Sequence, residues 1–351
     1  EDDQVGCWER FCALLAKDES QLKVLDVSQI GLHPRALVCL ADSIILSPDV
    51  TDLDLSGNPL TTTTKRDGRE RKDSSGLASL LMASTFIRSL DLSQAGLTDD
   101  CAEVIAHSLA DLPTIEALKL WGNGEIGVKG ATLVASQLSR APSLRLLCIG
   151  FSRSSGLKIP ANDDTVVELQ CSKAGLEAAD AILIAAAMST LPELASMDIS
   201  GQKIGPAGKM AIAAALRERT KRSRLKCMTK LTVDLGQRHR PKELKSTGTH
   251  EYVLKMDTAG LTAADVLCLS AFLYTHDTVD MLNLSGNDEM FAEVEDDDFD
   301  LFVETLKNKA EEGGEAHEDG LVRLGSFTGS KKVAHLQTAE WCKAWSKYTS
   351  R

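Results

Sequence analysis

An internal repeat constrains the fold of this chain most, because one segment occurs four times. The four copies are residues 28–58, 93–123, 172–202 and 257–287. Each copy has Gly and Leu as its fourth and fifth residues and Gly as its thirtieth, as at Gly31, Leu32 and Gly57. A chain that repeats itself in this way stacks similar units, and each unit buries its apolar face against its neighbours.

Each copy contains a helical pattern followed by a strand pattern. In the first copy, four apolar residues recur at the spacing of one helix face: Leu37, Leu40, Ala41 and Ile44. From Val50 the spacing shortens, and the residues up to Leu60 match the string L-x-x-L-x-L-x-x-N-x-L, with Asn58 at its polar position. On these residues the chain resembles the leucine-rich-repeat superfamily, and in particular its ribonuclease-inhibitor-like class of helix-and-strand units. The resemblance implies an α/β solenoid that is curved, with a parallel sheet on its concave side and helices on its convex side.

The repeat predicts a division of the chain into three parts. A capping helix is expected in residues 1–21, the solenoid in residues 22–337, and a C-terminal cap in residues 338–351. Polar or charged segments interrupt the solenoid at residues 59–75, 151–165, 237–250 and, with acidic composition, 288–319.

Two units are too short to hold a helix between their strands. A full unit separates the core residues Leu25 and Leu53, whereas the core residues Leu147 and Leu169 lie closer together along the chain. The next short unit extends from residue 231 to residue 254. In a stacked fold, equivalent insertions leave the body at the same edge. We therefore expect a row of basic loops, or else only a solvated face, at Arg153, Lys158, Arg238, Arg240, Lys242 and Lys245.

Strand residues between the core leucines are expected to point away from the core, since side chains alternate along a strand. The residue after the central core position is acidic in the first units and basic in a later one: Asp26, Asp54, Asp91 and Lys119. Trp121 stands two residues beyond Lys119, where most units have Ser. An exposed Trp at this place predicts a partner contact. The alternative is that the N-terminal loops or the nearby Phe151 cover it.

Composition and motifs exclude several functions. The net charge of −12 argues against nonspecific binding to nucleic acid or a membrane surface. No apolar run reaches membrane-spanning length, and no hydrolase, kinase or P-loop motif is present, so we expect neither an enzyme nor a cofactor. The string G-x-G-x-x-G at residues 122–127 is explained by the repeat. Nine cysteines without metal or disulfide spacing predict reduced thiols and a reducing compartment, the cytoplasm, with a cytoskeletal, ciliary or nuclear location as alternatives.

The sequence therefore predicts a non-catalytic protein-interaction or scaffold subunit in a larger assembly, for example an axonemal or cytoskeletal one. Its expected partners are proteins, not small-molecule substrates. Two alternatives stay open from the resemblance. One is a GTPase-activating protein of the Ran type, a family with this repeat and a similar acidic segment near the C-terminus; the other is an enzyme inhibitor.

Overall fold

The computed structural model describes residues 2–16, 22–64, 70–153, 155–222, 224–236, 240–245, 253–255, 259–273, 281–283, 287 and 321–323. The predicted C-terminal cap and the acidic segment 288–319 lie outside these residues. The proposed division into caps, solenoid and inserts therefore stays a prediction.

Helices and strands alternate along the chain, as the repeat predicts. The α-helices are α1 (Asp2–Leu15), α2 (Pro34–Ile45), α3 (Ser75–Ala83), α4 (Asp99–Leu109), α5 (Val128–Gln137), α6 (Ala178–Met188), α7 (Gly205–Lys221) and α8 (Ala263–Leu273). The strands of the first half are β1 (Val24–Asp26), β2 (Asp52–Asp54), β3 (Thr62–Thr64), β4 (Glu70–Lys72), β5 (Ser89–Asp91), β6 (Ala117–Lys119), β7 (Leu146–Ile149) and β8 (Leu157–Pro160). Those of the second half are β9 (Glu168–Gln170), β10 (Ser196–Asp198), β11 (Lys230–Leu235), β12 (Arg240–Lys245), β13 (Val253–Lys255), β14 (Met281–Asn283) and β15 (Leu321–Arg323).

The described strands form three mainly parallel sheets. The first sheet has the order β1-β2-β5-β6-β7-β8, the second β12-β11-β10-β9, and the third β13-β14-β15. Each helix from α1 to α8 contacts the next one along the chain. Sequence order is thus kept both among the helices and within the parallel part of each sheet.

The expectation of a single parallel sheet requires a correction at the two short units. β8 pairs antiparallel with β7, and β12 pairs antiparallel with β11. In each short unit an antiparallel strand stands where a regular unit has its helix. This strand occupies the edge of the sheet at which the next parallel strand would otherwise pair. The polar segments 151–165 and 237–250, expected to be helix-free turns, therefore contain the second strand of a β-hairpin.

The segment 59–75, expected only as a polar interruption of the solenoid, has structure of its own. It contains the hairpin β3–β4, and α3 begins at its last residue, Ser75. Its first part joins the body: Leu60 and Thr61 are fully buried, and the Thr61 hydroxyl donates to the Gly96 carbonyl at 2.7 Å.

Asparagine at the repeat's polar position cross-links neighbouring units. Asn58 Oδ1 accepts from the backbone N–H groups of Ile30 and Leu32 at 3.0 and 2.9 Å, and its Nδ2 donates to the carbonyls of Val27 and Leu55. Asn123 makes the same four contacts one repeat later. The amide thus satisfies buried backbone groups in loops that have no ladder partner.

Buried charge is concentrated in the second half of the chain. Among the described residues, the buried charged side chains are Asp91, Asp180, Lys209, Arg219, Asp234 and Asp265. Lys209 of α7 forms a buried ion pair with Asp265 of α8. Asp180, the third residue of α6, is fully buried.

Arg219 of α7 is 1% exposed, and its guanidinium donates to a cluster of backbone carbonyls. These carbonyls belong to Met188, Leu191, Pro192, Leu194 and Lys226. Met188 is the last residue of α6, so the cation sits where the helix dipole is negative. Burial lowers the pKa of this guanidinium from its usual value.

Candidate protein-interaction surface

Strand register places one line of charged residues across the first sheet. Asp26 pairs with Asp54, Asp54 with Asp91, Asp91 with Lys119, Lys119 with Cys148, and Cys148 with Lys158. We call this line the charge row; its six members are Asp26, Asp54, Asp91, Lys119, Cys148 and Lys158. Because paired residues share a face, all six lie on the side of the sheet opposite the core leucines. The register thus joins two groups that the sequence analysis had treated separately, since Lys158 was expected on a distant basic loop.

The three aspartates also have a local structural task. The carboxylates of Asp26, Asp54 and Asp91 each accept the backbone N–H of the serine two residues later, at 2.9–3.0 Å. These contacts close the turn that follows each strand. At Asp26, which is exposed, the bonds from Ser28 lower the pKa of the carboxyl group below its usual value.

Asp91 and Lys119 form the boundary between the acidic and the basic part of the charge row. Lys119 Nζ donates to Asp91 Oδ2 at 2.9 Å, and this bond raises the pKa of the lysine. Beside them, Cys148 is buried, and burial raises the pKa of its thiol. Cys148 is therefore a poor nucleophile despite its place in the row.

Trp121 is half-buried, in contrast to the expected exposed anchor. The hairpin β7–β8 explains the difference: a Cβ atom at Gly156 would lie 2.5 Å from Trp121 Cδ1. The backbone at the end of the hairpin therefore packs directly against the indole ring. Phe151, which could cover the ring instead, is itself buried. The indole ring is thus partly covered, and the segment that lies against it is the hairpin at Gly156, which was not predicted from the sequence.

Where the structure describes them, the basic residues predicted to form a row of loops belong to two different sheets, lying on β8 and the turn before it and on β12. Lys158 is exposed in β8, whereas Arg153 is half-buried and donates to Ser155 Oγ at 3.3 Å. In β12, Arg240 pairs with Leu235, Lys242 with Val233, and Lys245 with Lys230. Lys242 is half-buried, in register with buried residues of β11. Arg238 lies outside the described residues.

A nucleotide site at residues 122–127 is disfavoured by the contacts at the start of α5. Asp99 Oδ1 accepts the backbone N–H groups of Gly127 and Gly130 at 2.8 and 2.9 Å. A carboxylate of the preceding helix thus fills the place where a phosphate would bind.

A buried aspartate that was not predicted from the sequence follows each hairpin unit. The ninth residue of the repeat is Ala36, Cys101, Asp180 and Asp265 in the four copies, and all four are buried. The two aspartates belong to the two copies that come after a hairpin. Asp180 accepts the backbone N–H groups of Gly150 and Phe151, which begin the turn of the first hairpin, and of Glu177. An Asp at a position that is apolar in the other copies was the signal in the sequence.

Metal-ligating groups, membrane-spanning helices and thiols are the further features of the described residues that bear on function. No group of three or more metal-ligating side chains occurs in the part of the chain that the structure describes. In the same residues, no helix has the length and apolar character needed to cross a membrane. The cysteines described with their side chains are free thiols, and burial raises the pKa of Cys171 and Cys268 to about 12.

Comparisons with known proteins add little to this description. No protein-family model and no curated protein matches the chain. Among solved structures, it is similar to the leucine-rich repeat-containing protein LegL7 from Legionella pneumophila, with 19% sequence identity over 79% of this chain and 69% of that one. The TM-score of this match is 0.35, too low to carry an argument about fold or function.

Proposed function

We propose that the protein is a non-catalytic interaction subunit, built as a leucine-rich-repeat solenoid, that binds a protein partner through the outer face of its first sheet. The charge row carries this proposal, because it places charged side chains on one face of a six-stranded sheet. Asp26 and Lys158 at its ends are exposed, and no ion pair to either occurs among the described residues. A cytoplasmic location within a larger assembly is part of the proposal.

Rigidity supports a binding role for this face. The side chains of the charge row stand on strands whose neighbouring loops are cross-linked by Asn58 and Asn123. A partner therefore meets groups that are already ordered, and binding costs little conformational entropy. Catalysis has no comparable support, since the thiol in the row is protonated and no metal-binding group accompanies it in the described part.

The test is affinity capture from the native cell extract with two matched variants of the tagged chain. Ser89→Arg with Ala117→Arg places two long side chains on the outer face of β5 and β6, where both residues are half-buried. Thr132→Arg with Ser136→Arg adds the same charge to exposed positions of α5. We expect the first variant to lose at least one protein that wild type and the α5 variant retain, with unchanged circular dichroism. Identical captured proteins for all three chains contradict the proposal.

The Ran-type alternative is tested in the same material. If the captured set contains a small GTPase, purified chain is added to it and GTP hydrolysis is measured. Faster hydrolysis replaces the non-catalytic proposal, whereas an unchanged rate supports it.

A further inference from the structure

Charge is separated along the outer face of the first sheet. Asp26 and Asp54 occupy β1 and β2, and Asp52 adds a third carboxylate in β2 on the same face. At the other end, β8 contributes Lys158. Between them Asp91 and Lys119 neutralise each other across 2.9 Å. The face therefore has an acidic end and a basic end with a neutral middle.

Strand spacing sets the distance between the two ends. Neighbouring strands lie about 4.8 Å apart, so the five steps from β1 to β8 span about 24 Å. A segment that crosses the strands meets side chains and not the backbone groups of a sheet edge. A helix suits such a site, because its own backbone groups are hydrogen-bonded internally. At about 1.5 Å per residue, a helix of about 16 residues covers the distance.

We propose that the first sheet binds a helical protein segment with separated charge, basic over β1 and β2 and acidic over β8. The N-terminus of this helix lies over Asp26 and Asp54, because the positive end of the helix dipole then faces the carboxylates. A uniformly acidic or uniformly basic segment meets repulsion at one end. A nucleic acid is disfavoured because its phosphates meet the acidic end. This inference rests on the proposed function and specifies the partner's chemistry.

The probe is a pair of labelled, alanine-based peptides with identical composition, each slightly longer than the helix that spans the face and each held helical by the same side-chain crosslink, because charge pattern by itself changes helix stability. One peptide has its Lys residues in the N-terminal half and its Glu residues in the C-terminal half, and the other has the two charges interspersed. Binding is measured by fluorescence anisotropy at low ionic strength. We expect the separated peptide to bind about 10-fold more tightly, because this difference corresponds to the sum of a few weak surface ion pairs. The ratio of the two affinities should fall as salt is added.

Matched variants connect the preference to the charge row. Asp26→Asn, Asp54→Asn and Lys158→Gln together remove the three charges, while the Asn side chains keep an oxygen for the N–H groups of the following serines. Asp100→Asn, Asp111→Asn and Lys129→Gln make the same change of charge at exposed positions elsewhere. The first triple variant should lose most of the preference for the separated peptide, since only Asp52 remains of the charges at the two ends, and the control should keep the wild-type ratio.

Equal affinity of the two peptides for the wild-type chain overturns the inference, as does no binding of either peptide. A ratio that survives the first triple variant overturns it as well. None of these results contradicts the proposed function. That proposal fails only if the variant with Ser89→Arg and Ala117→Arg captures the same proteins from extract as the wild-type chain.

Discussion

The two larger sheets end alike but use charge differently. Each ends on an antiparallel strand, β8 or β12. The first sheet has exposed charge at both ends of its charge row, at Asp26 and Lys158, with the buried carboxylate of Asp91 between them. Around the second sheet charge is buried, at Asp180, Arg219 and Asp234. Under our proposal the exposed charges of the first sheet bind a partner, whereas Asp180, Arg219 and Asp234 satisfy backbone groups inside the fold.

Arg219 gives the largest expected effect in this comparison. Replacing Arg219 with Met leaves several buried carbonyls without a donor, which should lower the free energy of unfolding by about 3–5 kcal/mol. Arg88→Met is the matched control on the first sheet, since Arg88 is exposed and pairs with Glu116 at 2.8 Å. Its cost should be below about 1 kcal/mol. Urea denaturation measures both values, and equal costs would mean that burial of charge has no structural role here.

Replacing Asp180 should have the next largest effect on stability. Asp180→Ala removes the acceptor of three backbone N–H groups, two of them buried, and should cost about 3 kcal/mol. Cys101→Ala, at the same place of the second copy, removes one buried atom and should cost about 1 kcal/mol. Amide hydrogen exchange adds a local measure: protection at Gly150 and Phe151 should drop in the Asp180 variant alone. Unchanged protection there would show that the aspartate does not hold the hairpin.

A substitution at Gly156 tests the contact between the hairpin β7–β8 and Trp121. Gly156→Ala places a Cβ atom 2.5 Å from Trp121 Cδ1, so the ring or the hairpin must move, at a cost of about 1–3 kcal/mol. At Gly124 the nearest atom to an added Cβ is 3.8 Å away, so Gly124→Ala is the control. Adding Trp121→Leu should recover part of the loss. If the two substitutions are additive, the hairpin does not rest on the indole ring.

The pH dependence of stability gives the smallest effect. Burial raises the pKa of Asp180 in the folded state, more than its three hydrogen bonds lower it. The folded chain therefore binds the proton more tightly than the unfolded chain, and the contribution of Asp180 to stability falls as pH rises from the ordinary to the raised pKa. Asp180→Asn should remove this fall. The slopes of the free energy of unfolding against pH should then differ between wild type and variant by at most about 1.4 kcal/mol per pH unit. The same slope in both proteins would contradict the raised pKa.

Much of the fold could be predicted from the sequence, because each copy of the repeat follows the same physics. Helix faces such as that of Leu37 and Leu40, core leucines and the Asn58 position follow from periodicity alone. The hairpins could not be predicted, since a shortened unit shows only that a helix is missing and not what replaces it.

The face on which the charge row lies could be predicted from the sequence. The contacts that β8 makes with it could not. Alternation places Asp26, Asp54, Asp91 and Lys119 on one face, and the register agrees. That Lys158 joins them, and that Gly156 covers Trp121, depends on the antiparallel return of β8. Such a contact between non-equivalent segments has no signal in a periodic pattern.

Site-specific photo-crosslinking tests the central claim most directly. A benzophenone amino acid is placed in turn at Ser89 on the first sheet, at Ser196 on the second, and at exposed Lys129 on α5. The chain is then irradiated in native extract. We predict that a protein adduct forms at Ser89 in larger yield than at either other position. An adduct at Lys129 that equals or exceeds the yield at Ser89 would contradict the claim that the first sheet is the binding face.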